Sequence, residues 1–471
     1  MAEVRRDYDS NDSDRRSESF DGPKTWIYPA AGKTTDQPML AFHVAFVALL
    51  VGVEAFFTGL SVLNVRYGER AVADSASWIE DELGVEDTDR LSSYHRLRTG
   101  FGLLSTWIGL LALFLVLYSG LFADAVAVAD DLGAGSLVEG VAFFVGGAVV
   151  LALYDVPFDL FGTFVIEEIF DFNEQSVTLW LRDTLLSLVL SVVLVAAIVT
   201  GLLWIVGTVS QWWLAGVGLV AVLVVVLNVL LPRVVMPLFY DFERLDGGDL
   251  REAIEEVFER AGFSCEEIYE MNASSRSSKS NAFFAGFGRT KRVVLFDTLI
   301  ESMETPEIQA VLAHELAHWK KGHVWKRIGS TIAQAAVVLF VLQVLVEPGF
   351  VVDTAWLYDM FGVAQTPYAG LVLATFWVQP IYRLTAPIRL KLSLAHEREA
   401  DAFAAEVMGD PEPQASALAK LADENLANPF PHPWYEAFHY DHPPIPERIR
   451  TLREAADGDE RGTDDVATAG T

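Results

Sequence analysis

Two histidines and a glutamate at residues 314–318 have the spacing of a metal-binding helix. The segment reads His-Glu-Leu-Ala-His, so His314 and His318 are four positions apart. Residues four apart lie one above the other on the same face of an α-helix, so both imidazoles can bind one ion. Glu315 stands beside them, where its carboxylate can reach a water molecule on that ion. This H-E-x-x-H arrangement is typical of hydrolytic zinc sites.

The residues that precede the motif favour a helix. Thr305 suits the N-cap, Pro306 suits the first helical position, and Glu307 favours the positive end of the helix. The sequence therefore predicts a helix that begins at Thr305 and continues through the motif. The alternative is an amphipathic helix that carries two histidines and a glutamate by chance.

A hydrolytic zinc ion needs a third protein ligand and one open position. Glu397 is the best candidate, because Glu397 and Asp401 are four apart and share one helical face. One carboxylate can bind the metal while the other orients a ligand histidine. A solvated, charged helix face is the alternative. His323, nine positions after His314, is expected on the opposite side of a straight helix and is left out of the site. The other candidate ligands are His396, His439 and His442.

Composition narrows the class of protein. The chain has 471 residues, of which 52% are hydrophobic, and a formal net charge of −30. So apolar a chain is not an ordinary soluble enzyme, and its charge must be concentrated in tails and loops. The acidic excess argues against nucleic acid as a partner and suits a halophile-like protein bathed in high salt. The single cysteine, Cys265, excludes an internal disulfide and a thiolate metal site.

Seven apolar stretches each approach the ~20 residues that a helix needs to cross a bilayer. The third and the seventh are the least regular, because Pro157 and Pro380 interrupt them. The chain is therefore predicted to be a mostly α, polytopic membrane protein, in contact with the lipid bilayer. The stretches lie near 39–63, 99–122, 137–156, 184–208, 211–237, 329–347 and 366–385.

The remaining segments divide the chain further. The helical spacing of 248–262 and the β-branched run 291–297 predict a soluble portion with a small β element. The polar ends predict disordered tails. The predicted order is a tail (1–36), a five-span bundle (37–237), the first peptidase part (238–328), a two-span hairpin (329–385), the second peptidase part (386–454) and a tail (455–471).

Basic residues indicate the orientation in the membrane. The connections 123–136, 206–213 and 348–365 contain no lysine or arginine, whereas Lys320, Lys321, Lys326 and Arg327 follow the motif. Because lysine and arginine favour the cytoplasmic side, the site is expected to face the cytoplasm from a multi-pass protein of the cell membrane. The two spans between the motif and Glu397 return the chain to the side it left.

Several segments, in order along the chain, resemble the CAAX prenyl protease type 1 family. The match covers nearly the whole chain between the tails. Phe283 departs from the family pattern, which has tyrosine there more often. The matching segments are 164–168 with 172–173, 236–239, 280–286, 314–319 with His323, 393–401, and 442–444 with 447–448.

The resemblance implies a membrane-embedded zinc metalloendopeptidase. Its fold would be a ring of seven helices around a water-filled chamber, with a gluzincin-like site at the cytoplasmic cap. One Zn²⁺ would be held by His314, His318 and Glu397, and Glu315 would act as the general base. The implied substrate is a peptide or a lipidated, prenylated protein cut near its C-terminus.

Three further residues acquire roles in this scheme. Asp401 would fix a ligand imidazole. Asn281 would hold the backbone of a substrate that pairs as an added strand. His442 would donate a hydrogen bond to the developing oxyanion.

Other functions remain open at this point. A general membrane-protein quality-control zinc protease would have the same site and a different substrate. A metal transporter would place its ligands within the spans, near mid-membrane, whereas these ligands lie outside them. A non-catalytic membrane protein would have no need of Glu315.

Overall fold

The computed structural model describes residues 36–85, 87–265, 267–286 and 291–455. The predicted tails lie outside these ranges, except for the innermost residue of each. Most of the described chain is α-helical, and one small sheet accompanies the helices. The predicted fold class, a mostly α membrane protein with a small β element, is confirmed.

The N-terminal half consists of helices. The stretch between the first two predicted spans, residues 64–98, is itself largely helical, because the first and third helices extend well past their apolar stretches. The helices are α1 (Asp36–Asp74), α2 (Ala76–Leu83), α3 (Thr88–Tyr118), α4 (Leu121–Asp130), α5 (Ser136–Phe161), α6 (Val177–Thr208) and α7 (Trp212–Leu230).

Short π-helical segments lengthen two of these helices. Gly162–Glu167 continues α5, and Leu231–Val235 continues α7. Such segments are uncommon and often occur at functional sites. The first of these segments ends at Glu167, which is also the last residue of that candidate span.

Five of these helices and a later one, α11 below, are long and apolar enough to cross a membrane. Only 6% to 22% of the most apolar window of each is buried within the protein. A helix that is apolar on all sides and exposed requires an apolar solvent, which a bilayer supplies. The candidate spans are Met39–Asp74, Thr88–Tyr118, Ser136–Glu167, Val177–Thr208, Trp212–Leu238 and His323–Val346.

The sheet belongs to the segment between α7 and the motif. It contains four strands in the order β1-β2-β4-β3, with β2 and β4 parallel and the other neighbours antiparallel. The strand β3 therefore forms one edge of the sheet. The elements of this segment are β1 (Phe242–Arg244), α8 (Asp249–Arg260), β2 (Ile268–Met271), β3 (Ala282–Ala285) and β4 (Arg292–Phe296).

Eight helices follow the sheet. The H-E-x-x-H segment lies on the second of them, and Glu397 lies on the sixth. They are α9 (Asp297–Ser302), α10 (Thr305–Lys320), α11 (His323–Val346), α12 (Trp356–Asp359), α13 (Pro367–Leu384), α14 (Ala386–Met408), α15 (Glu412–Glu424) and α16 (Pro433–His439). A further helical segment spans 445–455.

The seventh predicted span corresponds to α13. It is helical over 18 residues but is not among the six long apolar helices. Instead it packs against α1, α5, α6 and α11, and Tyr368, Ala369 and Ala374 are fully buried. Its role as a span stays a prediction, and its neighbours indicate an inner position among the spans.

The N-cap of the motif helix α10 lies one residue before the position that the sequence predicted. Glu304, not Thr305, is the N-cap, and it forms a capping box with Glu307. The backbone N–H of Glu304 donates to the Glu307 carboxylate at 2.7 Å, while Lys420 of α15 donates to the same carboxylate at 2.6 Å. The reciprocal cap satisfies two helix-end donors, which threonine alone does not. One carboxylate thus caps α10 and ties it to α15.

Candidate metal centre and active site

The helices α10 and α14 bring three candidate ligands together. Nε2 of His314 lies 3.4 Å from Nε2 of His318, one turn further along α10. The carboxylate of Glu397, on α14, lies 3.3 Å from Nε2 of His314 and 3.4 Å from Nε2 of His318. One donor atom from each residue falls within 4.8 Å of the others. The spacing of a shared helical face therefore produces the convergence that the sequence predicted.

This donor set fits a metal ion. Glu397 is 1% exposed, and its Oε2 accepts no hydrogen bond within the described part of the chain. Nε2 of His314 and of His442 approach this oxygen at 3.3 and 3.2 Å, but without hydrogen-bond alignment. A buried carboxylate oxygen without a donor is costly, and a cation would satisfy it. Two imidazoles and one carboxylate are a ligand set that zinc takes in hydrolytic sites.

Asp401 orients His314. Its Oδ1 lies 2.8 Å from Nδ1 of His314, which leaves Nε2 directed at Glu397. Arg448, from the segment 445–455, donates to both carboxylate oxygens of Asp401 at 2.6 and 2.8 Å, and Gln414 donates at 2.7 Å. Burial raises the pKa of Asp401, but the bonds from Arg448 and His314 outweigh it and lower the pKa. Asp401 is therefore an ionised acceptor.

Of the two motif histidines, only His314 is positively charged when no metal is bound. Burial lowers the pKa of His314, but the adjacent carboxylates of Asp401 and Glu397 outweigh it and raise the pKa to about 9. Burial and the neighbouring charge of His314 lower the pKa of His318 to about 3. The proton therefore stays on His314, and His318 is neutral.

His323 does not lie where a straight helix would put it. The helix α10 ends at Lys320, and a new helix begins at His323 after Gly322, whose φ is +71°. This break turns His323 back, so that its Nδ1 lies 3.1 Å from Nδ1 of His318. Its Nε2 lies 3.0 Å from the carboxylate of Glu399, and its ring stacks on His396 at 4.0 Å. The expectation that His323 is remote from the site is wrong, because it assumed a continuous helix.

Glu315 and His314 line a cavity of about 160 Å³. Asn281, His442 and Arg448 line the same cavity. Burial raises the pKa of Glu315, the direction expected of a carboxylate that accepts a proton near neutral pH. The structure therefore brings the sequence-predicted residues to one place, although their catalytic roles stay predictions.

Asn281 and His442 line this cavity from two different segments of the chain. Asn281 immediately precedes the edge strand β3, and its side-chain oxygen accepts a hydrogen bond from the N–H of Ala282 at 2.8 Å. His442 is half-exposed, and its Nδ1 lies 2.9 Å from the carboxylate of Asp441. With Nδ1 held by Asp441, Nε2 of His442 faces the ligand group.

Four supporting residues were not assigned from sequence. Arg448 had a signal, because it lies in the 442–448 element that carries the family resemblance. His323 and Glu399 lie in matched segments, but their contact depends on the helix break at Gly322. Gln414, on α15, reaches Asp401 only through tertiary packing, and no local pattern marks it.

Comparisons with known proteins agree with this geometry. Residues 244–456 match the model of peptidase family M48, and residues 70–241 match the model described as the CAAX prenyl protease N-terminal region with five membrane helices. The CAAX prenyl protease 1 homolog of Oryza sativa subsp. japonica is 35% identical over 328 residues, covering 68% of this chain and 74% of that protein.

Further similarity comes from a yeast enzyme and a crystal structure. CAAX prenyl protease 1 of Saccharomyces cerevisiae is 32% identical over 313 residues, covering 64% of this chain and 69% of that protein. The crystal structure of S. mikatae Ste24p superposes with a TM-score of 0.77 at 26% identity, covering 87% of this chain and 98% of that one. The chain accordingly belongs to the CAAX prenyl protease 1 family, within peptidase family M48, and is a multi-pass membrane metalloprotease.

Proposed function

We propose that this chain is a zinc endopeptidase that holds one Zn²⁺ with His314, His318 and Glu397 and cuts prenylated proteins near their C-terminus. The observation that carries the metal assignment is the convergence of three donor atoms on one buried point, with Glu315 beside it. The substrate class is taken from the names of the relatives, which describe proteases of prenylated CAAX proteins.

A zinc ion at this point would polarise the scissile carbonyl and make a neighbouring water molecule more acidic. Glu315 takes the proton of that water and later delivers it to the leaving amine. The burial that raises its pKa keeps the carboxylate ready to hold a proton between these two transfers. Asp401 and Arg448 keep His314 in one tautomer and one orientation.

The edge strand β3 supports a binding mode for the peptide. Among the described strands β3 pairs with β4 alone, so its other edge offers unpaired backbone groups, and it lies next to α10. A substrate segment pairs with this edge as an added strand, and Asn281 holds its backbone. Nε2 of His442 donates to the oxygen of the carbonyl under attack.

The site faces the cytoplasm in this proposal. Lysine and arginine flank the motif, and the connection at 348–365 has none. The contact of His314 with Glu397 supports an even number of crossings between α10 and α14, since α11 and α13 separate them in the chain. Residence in the cell membrane is part of the same proposal.

The test uses purified protein in detergent and fluorogenic peptides that are identical except for a prenyl group on one cysteine. We expect chelator to abolish hydrolysis and stoichiometric zinc to restore it, with the prenylated peptide cleaved more efficiently. Hydrolysis that survives complete metal removal would refute the zinc assignment. Equal efficiency for both peptides would refute the prenylated substrate class and favour a quality-control protease.

A further inference from the structure

The short helix α16 lies directly before His442 and rests on the first membrane helix. Its last residue, His439, is three positions before His442. The helix packs against both α1 and α14. The helix α1 is the first of the candidate spans, and no residue of it has a role in the chemistry proposed above.

His442 depends on its flanking segments for its position. Its ring is half-exposed, and the carboxylate that holds its Nδ1 belongs to the neighbouring residue, Asp441. The segment after His442 is anchored to α14, because Arg448 pairs with Asp401 at 2.6 Å. The segment before His442 is α16, so the contacts that hold α16 also limit where the imidazole can lie.

Aromatic contacts hold the C-terminal end of α16 against α1. Phe57 is 6% exposed, and it meets the rings of Phe438 and His439 edge-on, with ring centroids at 5.8 and 5.6 Å. Aromatic pairs prefer this edge-to-face geometry over a direct face-to-face stack. Val53 and Leu60, one turn to either side on α1, complete a buried apolar cluster with Phe57.

A polar contact holds the N-terminal end of the same helix. Asn64 is 8% exposed, and its side-chain oxygen accepts a hydrogen bond at 2.8 Å from the backbone N–H of His432, the N-cap of α16. Seven residues separate Phe57 from Asn64 on α1, and seven separate His432 from His439. Each interval is about two helical turns, or roughly 10 Å. The two helices therefore lie antiparallel, with a contact at each end of α16.

A buried ion pair supports Phe57 from its other side. Glu54, which is 9% exposed and lies within the candidate span of α1, pairs with Arg383 of α13 at 2.6 Å. The guanidinium of Arg383 lies 4.2 Å from the ring centre of Phe57. Ionised side chains within spans are costly and usually mark functional positions. This pair ties the contact surface of α1 to α13, the helix that leads into α14 and Glu397.

From these contacts we infer that α1 positions His442 through α16, with Phe57 and Asn64 as the positioning residues. The inference rests on the proposed function, in which Nε2 of His442 donates to the oxygen of the carbonyl under attack, and deepens it. This Nε2 lies 3.2 Å from the carboxylate of Glu397, and a displacement of α16 moves it away from the ligand group. Because a bond to the developing oxyanion is made in the transition state, such a displacement lowers kcat and leaves KM nearly unchanged.

The test measures kcat and KM of zinc-loaded Phe57→Leu and Asn64→Leu on the prenylated fluorogenic peptide. Each should lower kcat about tenfold with KM within about twofold of wild type, since outright removal of an oxyanion donor costs about 100-fold or more. Asn64→Asp keeps an acceptor oxygen for the N–H of His432 and should retain most of the wild-type kcat. In a His442→Ala background, Phe57→Leu should cause no further loss.

Phe161→Leu is the matched control. It makes the same substitution at a 42% exposed ring on α5, whose aromatic neighbour is Phe101 rather than a residue of α16. It should leave kcat and KM at wild-type values. Zinc content and thermal unfolding of each variant, measured first, show that the metal centre and the fold are preserved. The two Asn64 variants keep the test decisive if Phe57→Leu fails to fold.

Four results would overturn the inference. One is a wild-type kcat in Phe57→Leu and Asn64→Leu, and another is a raised KM at constant kcat, which would assign the contact to substrate binding. The third is a loss of the same size with and without His442, which would make the contact merely structural. The fourth is a wild-type kcat in His442→Ala. Chelator-sensitive hydrolysis by wild type separates all four from a failure of the proposed function, which would leave wild type without zinc-dependent activity.

Discussion

The imidazole of His314 has acceptors on both sides, and this explains how one residue serves the site. Asp401 lies 2.8 Å from Nδ1, and Glu397 lies 3.3 Å from Nε2. In the absence of metal these two carboxylates retain a proton on the ring, which accounts for the raised pKa of about 9. A metal ion must displace that proton before His314 can bind it.

Metal affinity should therefore depend on pH. Below pH 9 the metal-free protein carries one more proton than the metal-bound protein, so lowering the pH weakens binding. Between pH 6 and pH 8.5 we expect the apparent dissociation constant for zinc to rise about tenfold for each unit that the pH falls. Competition with a chelator of known affinity measures it. An affinity that does not change with pH would contradict the additional proton on His314.

The contact between His318 and His323 predicts graded effects on metal binding. We expect Glu397→Ala to lose zinc, because it removes a ligand. Glu399→Ala should keep zinc with weaker affinity, because Glu399 holds His323, which in turn lies against His318. His323→Ala should weaken affinity by ~10–100-fold, the usual effect of a residue that orients a ligand. Elemental analysis and chelator competition check these variants.

Two outcomes would contradict this assignment. Full zinc content in the Glu397 variant would mean that another residue is the third ligand. An unchanged zinc affinity in His323→Ala would mean that the contact does not orient His318. Arg398→Ala is a suitable control, because Arg398 is exposed and pairs with Glu447 rather than with the site.

Among individual residues, the sequence predicts the positions of those that follow regular helical spacing. His314 and His318, and likewise Glu397 and Asp401, are four apart on helices, so their shared faces follow from helix geometry. The position of His323 was predicted wrongly, because Gly322, at φ +71°, interrupts the helix between His318 and His323. Gln414 reaches Asp401 from another helix, and no local pattern reports such a contact.

Ion pairs hold the segment before β3, residues 276–279, against two of the membrane helices. Lys279 pairs with Glu167 at 2.7 Å, and Arg276 pairs with Asp183 at 2.8 Å. Glu167 closes the π-helical segment after α5, and Asp183 lies in α6. Asn281 lies two residues after this segment. The membrane helices therefore position the edge strand that the substrate is proposed to join.

Loss of the Lys279–Glu167 pair should weaken substrate binding more than turnover. The pair is half-buried, so it contributes up to about 1 kcal/mol, and roughly a fivefold increase in KM is expected for Glu167→Gln. Exchanging the two charges, with Glu167→Lys and Lys279→Glu together, should recover part of the loss. Steady-state kinetics measures KM and kcat for these variants. A fall in kcat at constant KM would show that the pair does not position the strand.

Apolar length and caps made the helices predictable, whereas the sheet was only partly so. The strand at Arg292–Phe296 is β-branched and fully paired, and it was predicted. The strands β1, β2 and β3 have three or four residues each. So short a strand has too few alternations to show a period, and the order of the sheet depends on tertiary packing.

At the scale of the whole molecule, a hairpin of helices lies in the chain between the two halves of the site. The chain leaves α10 through α11 and returns through α13 to α14, where Glu397 meets His314 and His318. Composition predicts this return, because apolar stretches and basic flanks are properties of sequence alone. The inner position of α13 was not predictable, since its burial depends on its neighbours.

Cysteine labelling in intact cells tests the orientation. Val352, between α11 and α13, is 53% exposed, and Glu256 of α8 is exposed on the peptidase side. With Cys265 replaced, a membrane-impermeant thiol reagent should label Val352→Cys and spare Glu256→Cys. Labelling of the second alone would invert the protein. Labelling of both would remove the hairpin between the two halves of the site.

The central claim is that Glu315 performs proton transfer beside a metal held by His314, His318 and Glu397. The most direct test is the hydrolysis rate of Glu315→Gln protein that contains one zinc per chain. Glutamine keeps the size of the side chain but cannot accept the proton, so the account predicts a rate at least ~100-fold below that of wild type. A rate close to that of wild type, in fully zinc-loaded protein, would contradict it.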